Sequence, residues 1–170
     1  GKLYMGREIS HVMGHLGAGW LERDGREAEE RTDILINNLP IKKNSTIADI
    51  GAGTGYFALP MAKIASSGKL YAVDIQNEML EILSARAELS AIRNIIPVKA
   101  SETNPNLPEA SIDLVLLVDA YHEFEFPHEV MQNIYMSMKP GGQLVLIEYR
   151  GEDPKIRIKP LHKMTEKQSI

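Results

Sequence analysis

The run Ile47-Ala48-Asp49-Ile50-Gly51-Ala52-Gly53-Thr54-Gly55-Tyr56 constrains this fold more than any other stretch of the chain. A short apolar strand carrying an acid breaks into alternating glycines, and helical spacing follows from Tyr56 to Ala65. A strand, a glycine-rich turn and a helix together form a ligand-binding corner. Glycines let the backbone approach a ligand closely, and the helix N-terminus offers unpaired N–H groups with partial positive charge.

The rest of the chain repeats the strand–helix alternation of a parallel sheet. Lys69 to Asp74 reads as a second strand ending in an acid, about twenty residues past the first glycine. Asn77 opens a helix whose Met79, Leu80, Leu83 and Ala87 recur at helical spacing. Ile95 to Lys99 is a third strand, followed by a polar loop from Ser101 to Glu109. Ile112 to Val118 is almost continuously apolar, as befits a strand buried on both faces. Pro127 opens another helix, Lys139-Pro140-Gly141-Gly142 stops it, and Gln143 to Tyr149 is the last strand.

Two ligands compete for the glycine loop. The dinucleotide fingerprint G-x-G-x-x-G needs a third glycine where this chain has Tyr56, so a nicotinamide-dependent oxidoreductase fits poorly. The pattern D-x-G-x-G-x-G instead resembles motif I of the class I S-adenosylmethionine-dependent methyltransferases. Val73-Asp74-Ile75-Gln76-Asn77-Glu78-Met79-Leu80 and Met138-Lys139-Pro140-Gly141-Gly142-Gln143-Leu144-Val145-Leu146 resemble the same enzymes after strand two and into strand five. The resemblance runs from Ile47 to Tyr149 and is nearest to small-molecule methyltransferases, including those of quinone biosynthesis. It implies a Rossmann-like α/β fold, an open parallel sheet of order 3-2-1-4-5 with helices on both faces. S-adenosylmethionine is the implied cofactor. Asp49, Gly51, Ala52, Gly53 and Gly55 would hold its amino-acid end, Asp74 its ribose, and Ile75 its adenine. Where the family usually has an Asp for the adenine amino group, this chain has Ala100-Ser101-Glu102, so Ser101 or Glu102 takes that place.

In such a sheet ligands bind where the strand order reverses, between strands one and four. The loop after strand four, Asp119-Ala120-Tyr121-His122-Glu123-Phe124-Glu125-Phe126, should therefore face the glycine loop. Asp119 is expected both at the cofactor and at the transfer site, and Tyr121 at the acceptor. Methyl transfer from a sulfonium demands alignment and exclusion of water, and a hydroxyl acceptor also gains from a base. His122 is the candidate base near neutral pH, its other reading being a hydrogen bond to a backbone carbonyl. No Asn-Pro-Pro-Tyr follows strand four, which argues against methylation of exocyclic amines in nucleic acids.

Residues 1–40 form a separate segment before the cofactor-binding domain of residues 41–170. Ile9, Val12, Met13, Leu16 and Trp20 recur at helical spacing, predicting an amphipathic helix within Arg7 to Leu21, weakened by Gly14, Gly17 and Gly19. Such a segment would act as a lid, with Tyr4, His11, His15 and Trp20 as acceptor-pocket candidates. Arg26 to Glu30 reads as a solvated helix start, with Ile34, Leu35 and Leu39 giving a buried side up to Pro40. His11 and His15 share a helix face, but Val12 stands where the zincin signature needs Glu. His162 could join them only if the tail folds back, and no metal is expected.

A net charge of −4 and a pI near 5.8 argue against a nucleic-acid partner, and no segment has the apolar length to span a bilayer. The chain has no cysteine, hence no disulfide or thiolate chemistry, and the default compartment is cytoplasmic. Thr165-Glu166-Lys167-Gln168 forms a capping box for a helix close to the end of the sequence. The resemblance implies that helix and a further β-hairpin beside strand five, and the hairpin is expected to be missing here. Leu144 to Ile147 would then be an exposed edge, expected to be covered by further chain or by a second copy in a homodimer. The expected function is methyl transfer to a small molecule. Its alternative is a non-catalytic S-adenosylmethionine-binding module or partner subunit.

Overall fold

The computed structural model describes residues 1–169. The chain opens with an antiparallel hairpin, β1 (Lys2–Tyr4) and β2 (Arg7–Ile9), turning through Met5 and Gly6, both at positive φ. A 3-10 turn, His15–Gly17, leads into three short helices, α1 (Ala18–Leu21), α2 (Arg26–Glu30) and α3 (Thr32–Asn38). Strand β3 (Thr46–Ile50) precedes α4 (Ala58–Ile64), and β4 (Lys69–Asp74) precedes α5 (Asn77–Leu89). After β5 (Ile95–Lys99) a loop without helix leads to β6 (Ile112–Val118), then come α6 (Pro127–Ser137) and β7 (Met138–Ile147). The 3-10 turn Pro160–His162 and α7 (Glu166–Ser169) close the described chain.

The five long strands form one parallel sheet in the order β5-β4-β3-β6-β7, which is the expected 3-2-1-4-5 order of an open Rossmann-like sheet. Alternate residues feed two apolar layers. Ile47, Leu70, Ala72, Leu114 and Leu116 pack with α3, α4 and Leu83 of α5 on one face. Ala48, Ile50, Val73, Val115 and Leu117 pack against Val130 and Ile134 of α6 on the other. Burial on both faces explains why β6 carries no apolar–polar alternation. At the far end of the sheet Asp113 accepts the Thr46 N–H at 2.8 Å and pairs with Lys139 at 3.1 Å, where a register shift interrupts the β6–β7 ladder. The Lys139–Gly142 stop thus lies inside β7 as an irregular start, because Met138 already pairs with Ile112 before Gln143 pairs with Leu114.

The amino-terminal segment differs from the helix that its periodicity predicts. Ser10 to Gly14 has no regular secondary structure, Leu16 is exposed, and only Ala18–Leu21 turns into α-helix. Side chains take the backbone groups that a helix would have used. Gln76 donates from Nε2 to the Met13 carbonyl at 2.6 Å and accepts the His15 N–H at 2.9 Å, while Glu123 accepts the Met13 N–H at 3.2 Å. With three glycines weakening the helix, these contacts win and make the segment a strap. A second difference lies at Arg26–Glu30. Arg31 at φ +47 separates α2 from α3, and Ile36, not Ile34, is the buried isoleucine of that stretch.

The tail folds back onto the sheet. Met164 is buried, its N–H bonds the Tyr149 carbonyl at 2.9 Å, and Gly151 N–H bonds the Met164 carbonyl at 2.7 Å. The capping box forms as its sequence predicts, with the Thr165 N–H donating to Gln168 Oε1 at 2.8 Å and the Gln168 N–H to Thr165 Oγ1 at 3.2 Å. Among the described residues no helix is long and apolar enough to cross a membrane.

Candidate active site

Strands β3 and β6 are neighbours at the centre of the sheet, so the loops after Ile50 and Val118 face each other across the point where the strand order reverses. Between them lies a cavity of about 760 Å³, within the range of cofactor and small-ligand sites. Asp49, Gly51, Ala52, Gly53, Asp74, Ile75, Ser101, Glu102 and Asp119 all line it; Gly55 does not. Gly51 lies at φ +74, and a Cβ there would come within 2.8 Å of the Ala120 Cβ, so the two facing loops meet only because Gly51 is bare.

Four of the acids that line this space, Asp49, Asp74, Asp119 and Glu123, are shifted upward by burial. Asp49 is buried and its Oδ2 has no hydrogen-bond partner among the described residues. Burial, reinforced by the neighbouring Asp74 charge and opposed by Arg26, pushes its carboxyl up to about 7. Asp74 accepts the Gly53 N–H on Oδ2 and the Gln76 N–H on Oδ1, each at 2.9 Å. Burial raises its pKa while these bonds oppose the rise. A carboxylate has about four acceptor positions, so both oxygens keep capacity for a ribose diol. Asp119 holds a left-handed backbone, φ +52, its N–H bonds the Ile147 carbonyl at 2.8 Å, and its Oδ1 has no hydrogen-bond partner among the described residues. Burial pushes it up to about 6, and burial likewise pushes Glu123 up to about 7.

Arg26 is the residue that sequence reasoning assigned to the wrong environment. It is buried, not solvated, and lines the cavity. Its guanidinium lies 4.0 Å over the Tyr56 ring, bonds Glu30 Oε2 at 2.9 Å and donates to the Leu21 carbonyl at 2.5 Å. The i,i+4 Arg26–Glu30 spacing next to an aromatic pair at Tyr56-Phe57 was the available signal, but it becomes decisive only when α2 lies on the glycine loop.

The remaining sequence candidates divide. His11 and Trp20 line the cavity; Tyr4, His15 and Tyr121 do not. Tyr4 instead donates to Glu129 at 2.7 Å and packs edge-on to Phe126, and Tyr121 packs edge-on to Phe124. His122 is wholly buried and does not reach the cavity. Its Nδ1 lies 2.6 Å from Glu148 Oε2, and its Nε2 lies 3.0 Å from Nδ1 of His162, a residue that does line the cavity. Burial alone would lower the His122 pKa, but the hydrogen bond and charge of Glu148 outweigh it and raise it. His162 is lowered by burial and by the positive charges of His122 and Lys159. Glu148 did not stand out in the sequence, and His162 did so only as a possible metal ligand beside His11 and His15, because nothing local ties either residue to His122.

The donor set fits a cofactor with an ammonium, a carboxylate and a ribose. Asp49 supplies an unpartnered buried acid, Arg26 a buried cation, and Asp74 an acceptor for two hydroxyls. Residues 48–146 match the methyltransferase-domain family. An uncharacterized methyltransferase-like protein of Schizosaccharomyces pombe is 33% identical over 116 residues, covering 68% of this chain and 43% of that protein. The ubiquinone/menaquinone biosynthesis C-methyltransferase UbiE of Wigglesworthia glossinidia brevipalpis is 26% identical over 119 residues, 69% of this chain and 48% of that one. A SAM-dependent methyltransferase of Aquifex aeolicus superposes with a TM-score of 0.86 at 21% identity, covering 93% of this chain and 85% of that structure. The chain belongs to the class I S-adenosylmethionine-dependent methyltransferases. It spans about half the length of the curated relatives it matches.

Proposed function

We propose that this protein transfers a methyl group from S-adenosylmethionine to a small-molecule acceptor by in-line displacement. The observation that carries the proposal is the single cavity joining the glycine corner to the loop after β6 and to the strap, with room for two ligands. When bound, the cofactor supplies an electrophilic methyl carbon on a sulfonium. Asp49 holds the ammonium of its amino-acid end, Arg26 the carboxylate, and the backbone of Gly51 to Gly53 packs against both. Asp74 accepts from the ribose hydroxyls and Ile75 packs on the adenine. Ser101 Oγ is spent on its own loop, accepting the Asn104 N–H at 3.0 Å, so Glu102 is the residue that meets the adenine amino group.

The acceptor side is formed by His11, Trp20, Phe124 and His162, two aromatic rings beside two imidazoles. That lining, the net charge of −4 and the similarity to a quinone-biosynthesis methyltransferase support a small, hydroxylated aromatic acceptor over a nucleic acid. The strap from Ser10 to Gly14, pinned by Gln76 and Glu123, acts as the lid that excludes water. The proposed setting is cytoplasmic, and two copies pairing along the edge strand β7 are the proposed assembly.

The test is calorimetric titration with S-adenosylmethionine, S-adenosylhomocysteine and NADH, followed by transfer of labelled methyl to hydroquinone. Saturable binding of the first two and label in the acceptor are expected. Binding of the first two without transfer to any of a panel of phenols, quinols and amines would favour a cofactor-binding module instead.

A further inference from the structure

The cluster behind the acceptor end of the cavity is not explained by cofactor binding. Glu148 directly follows β7, His122 sits in the 3-10 turn Tyr121–Glu123 after β6, and His162 sits in the turn Pro160–His162 that the returning tail brings back. The three form a line. Glu148 Oε2 lies 2.6 Å from His122 Nδ1, and His122 Nε2 lies 3.0 Å from His162 Nδ1. The order of burial follows the line, from His122, wholly enclosed, to His162, half-buried on the cavity wall. His122 is held at its backbone as well, its N–H donating to Glu148 Oε1 at 3.2 Å and its carbonyl accepting from Ser10 Oγ at 3.3 Å.

The proton positions follow from these partners. A carboxylate only accepts, so His122 Nδ1 carries a hydrogen. In the neutral ring Nε2 is then an acceptor, so His162 must donate to it from Nδ1. That fixes His162 in the tautomer whose Nε2 has a free lone pair, and this nitrogen has no protein partner among the described residues. We propose that His162 is the general base of the acceptor site, and that His122 and Glu148 are positioning residues that set its tautomer and take over its positive charge. The proposal rests on the methyl-transfer reading above and assigns the acceptor a hydroxyl.

The step balances without any further reactant. The acceptor O–H gives its proton to His162 Nε2, and the Nδ1 hydrogen of His162 passes to His122 Nε2. The electron pair left on the acceptor forms the new bond to the methyl carbon as the carbon–sulfur bond breaks with its pair going to sulfur. The positive charge ends on His122, beside Glu148 at 2.6 Å and Asp119 at 3.6 Å. The other charged groups facing the pair are Glu123, which favours the charged His122, and Lys159, which disfavours a charge on His162. Asp119, Glu123 and Lys159 favour the proton on the buried ring, whereas Glu148 favours a charge on both rings but bonds only His122, and these groups outweigh the burial that opposes a charge there.

The test uses the full chain. Two-bond proton–nitrogen correlation spectra of labelled histidines, assigned with His122→Gln and His162→Gln and followed from about pH 6 to 9, read the tautomers directly. Expected are Nδ1–H on both rings at the alkaline end and one shared protonation step that moves both rings. A His162 ring protonated on Nε2 at the alkaline end, or two independent titrations, would overturn the relay whatever the acceptor. With labelled S-adenosylmethionine and hydroquinone, His162→Gln should lose at least a hundredfold in kcat with cofactor affinity unchanged. Glu148→Gln should move the acid limb of the kcat–pH profile to lower pH, a shift that a merely structural carboxylate would not produce. Transfer by His162→Gln within threefold of the parent overturns the base while leaving methyl transfer intact. A parent chain that binds the cofactor but labels no hydroxylated acceptor overturns both. Stoichiometric zinc in the purified chain, lost in either histidine variant, would assign the pair to a metal shared with Glu123 and also overturn the relay.

Discussion

Replacing Asp49 by Asn should stabilise the cofactor-free protein and weaken its cofactor site. Asp49 is buried with one oxygen unpartnered, and its carboxyl stands at about 7 against an ordinary 3.8. At about 1.4 kcal/mol per pK unit, keeping this group ionised in the folded state costs about 4 kcal/mol relative to the unfolded chain. The sign follows from linkage: the folded state binds the proton more tightly, so stability is present at low pH and is lost as pH rises from the ordinary carboxylate range to about 7. Asparagine removes that pH-dependent loss but buries amide hydrogens without evident partners, costing about 2 kcal/mol. The net expectation is a gain of about 2 kcal/mol at pH 8 that vanishes or reverses near pH 4. Urea unfolding of both proteins at several pH values measures it, and calorimetry should show at least tenfold weaker S-adenosylmethionine binding by the variant. A variant less stable than the parent at pH 8, or a difference that does not change with pH, would refute the claim that Asp49 is held ionised against its surroundings.

Asp74→Ala should weaken cofactor binding by about 1–3 kcal/mol in calorimetry, since it removes a charged acceptor, and it should lower the melting temperature by releasing the Gly53 and Gln76 N–H groups. Gly55→Ala should destabilise by about 3 kcal/mol in urea, because Gly55 lies at φ +90 and the new Cβ would sit 2.5 Å from Leu59 Cδ1 and 3.0 Å from Leu83 Cγ. A loss under about 1 kcal/mol would mean that the loop relaxes at little cost. The Kd for S-adenosylmethionine should fall as pH rises to about 7 and then level off, because ammonium binding requires Asp49 to shed its proton. A flat Kd between pH 6 and 8 would remove Asp49 from the ammonium site.

The centre of the sheet was legible because β3 and β6 are buried on both faces. β4, β5 and β6 have the bounds that the sequence predicts, although β5 is mostly exposed, and the glycine loop marks its own corner. Local sequence carried less at the periphery. The spacing of Ile9, Val12, Met13, Leu16 and Trp20 suits a helix, yet Gln76 and Glu123, remote in sequence, claim the backbone groups of Met13 and His15. Arg26 reads as solvated among its charged neighbours, and only the Tyr56 ring and the Leu21 carbonyl, supplied by tertiary packing, bring it inside. His122 carried a sound chemical signal attached to the wrong surface. A residue forty positions along the chain separates it from the cavity, and no pattern within either segment announces their meeting.

The acids around the cavity make sense together only in terms of charge. Among the described residues Asp49 and Asp119 each keep an oxygen without a hydrogen bond, and burial raises both along with Asp74 and Glu123. Four such groups within one enclosed space, with Arg26 as the buried cation against them, strain the empty protein. A ligand that brings an ammonium and a sulfonium relieves that strain, and part of its affinity is the repulsion it removes. The demethylated product keeps the ammonium but has lost the sulfonium charge, so it relieves less. If the protein turns over as proposed, the same electrostatics should favour the charged cofactor over its neutral thioether product, which calorimetry would read as a lower Kd for S-adenosylmethionine than for S-adenosylhomocysteine.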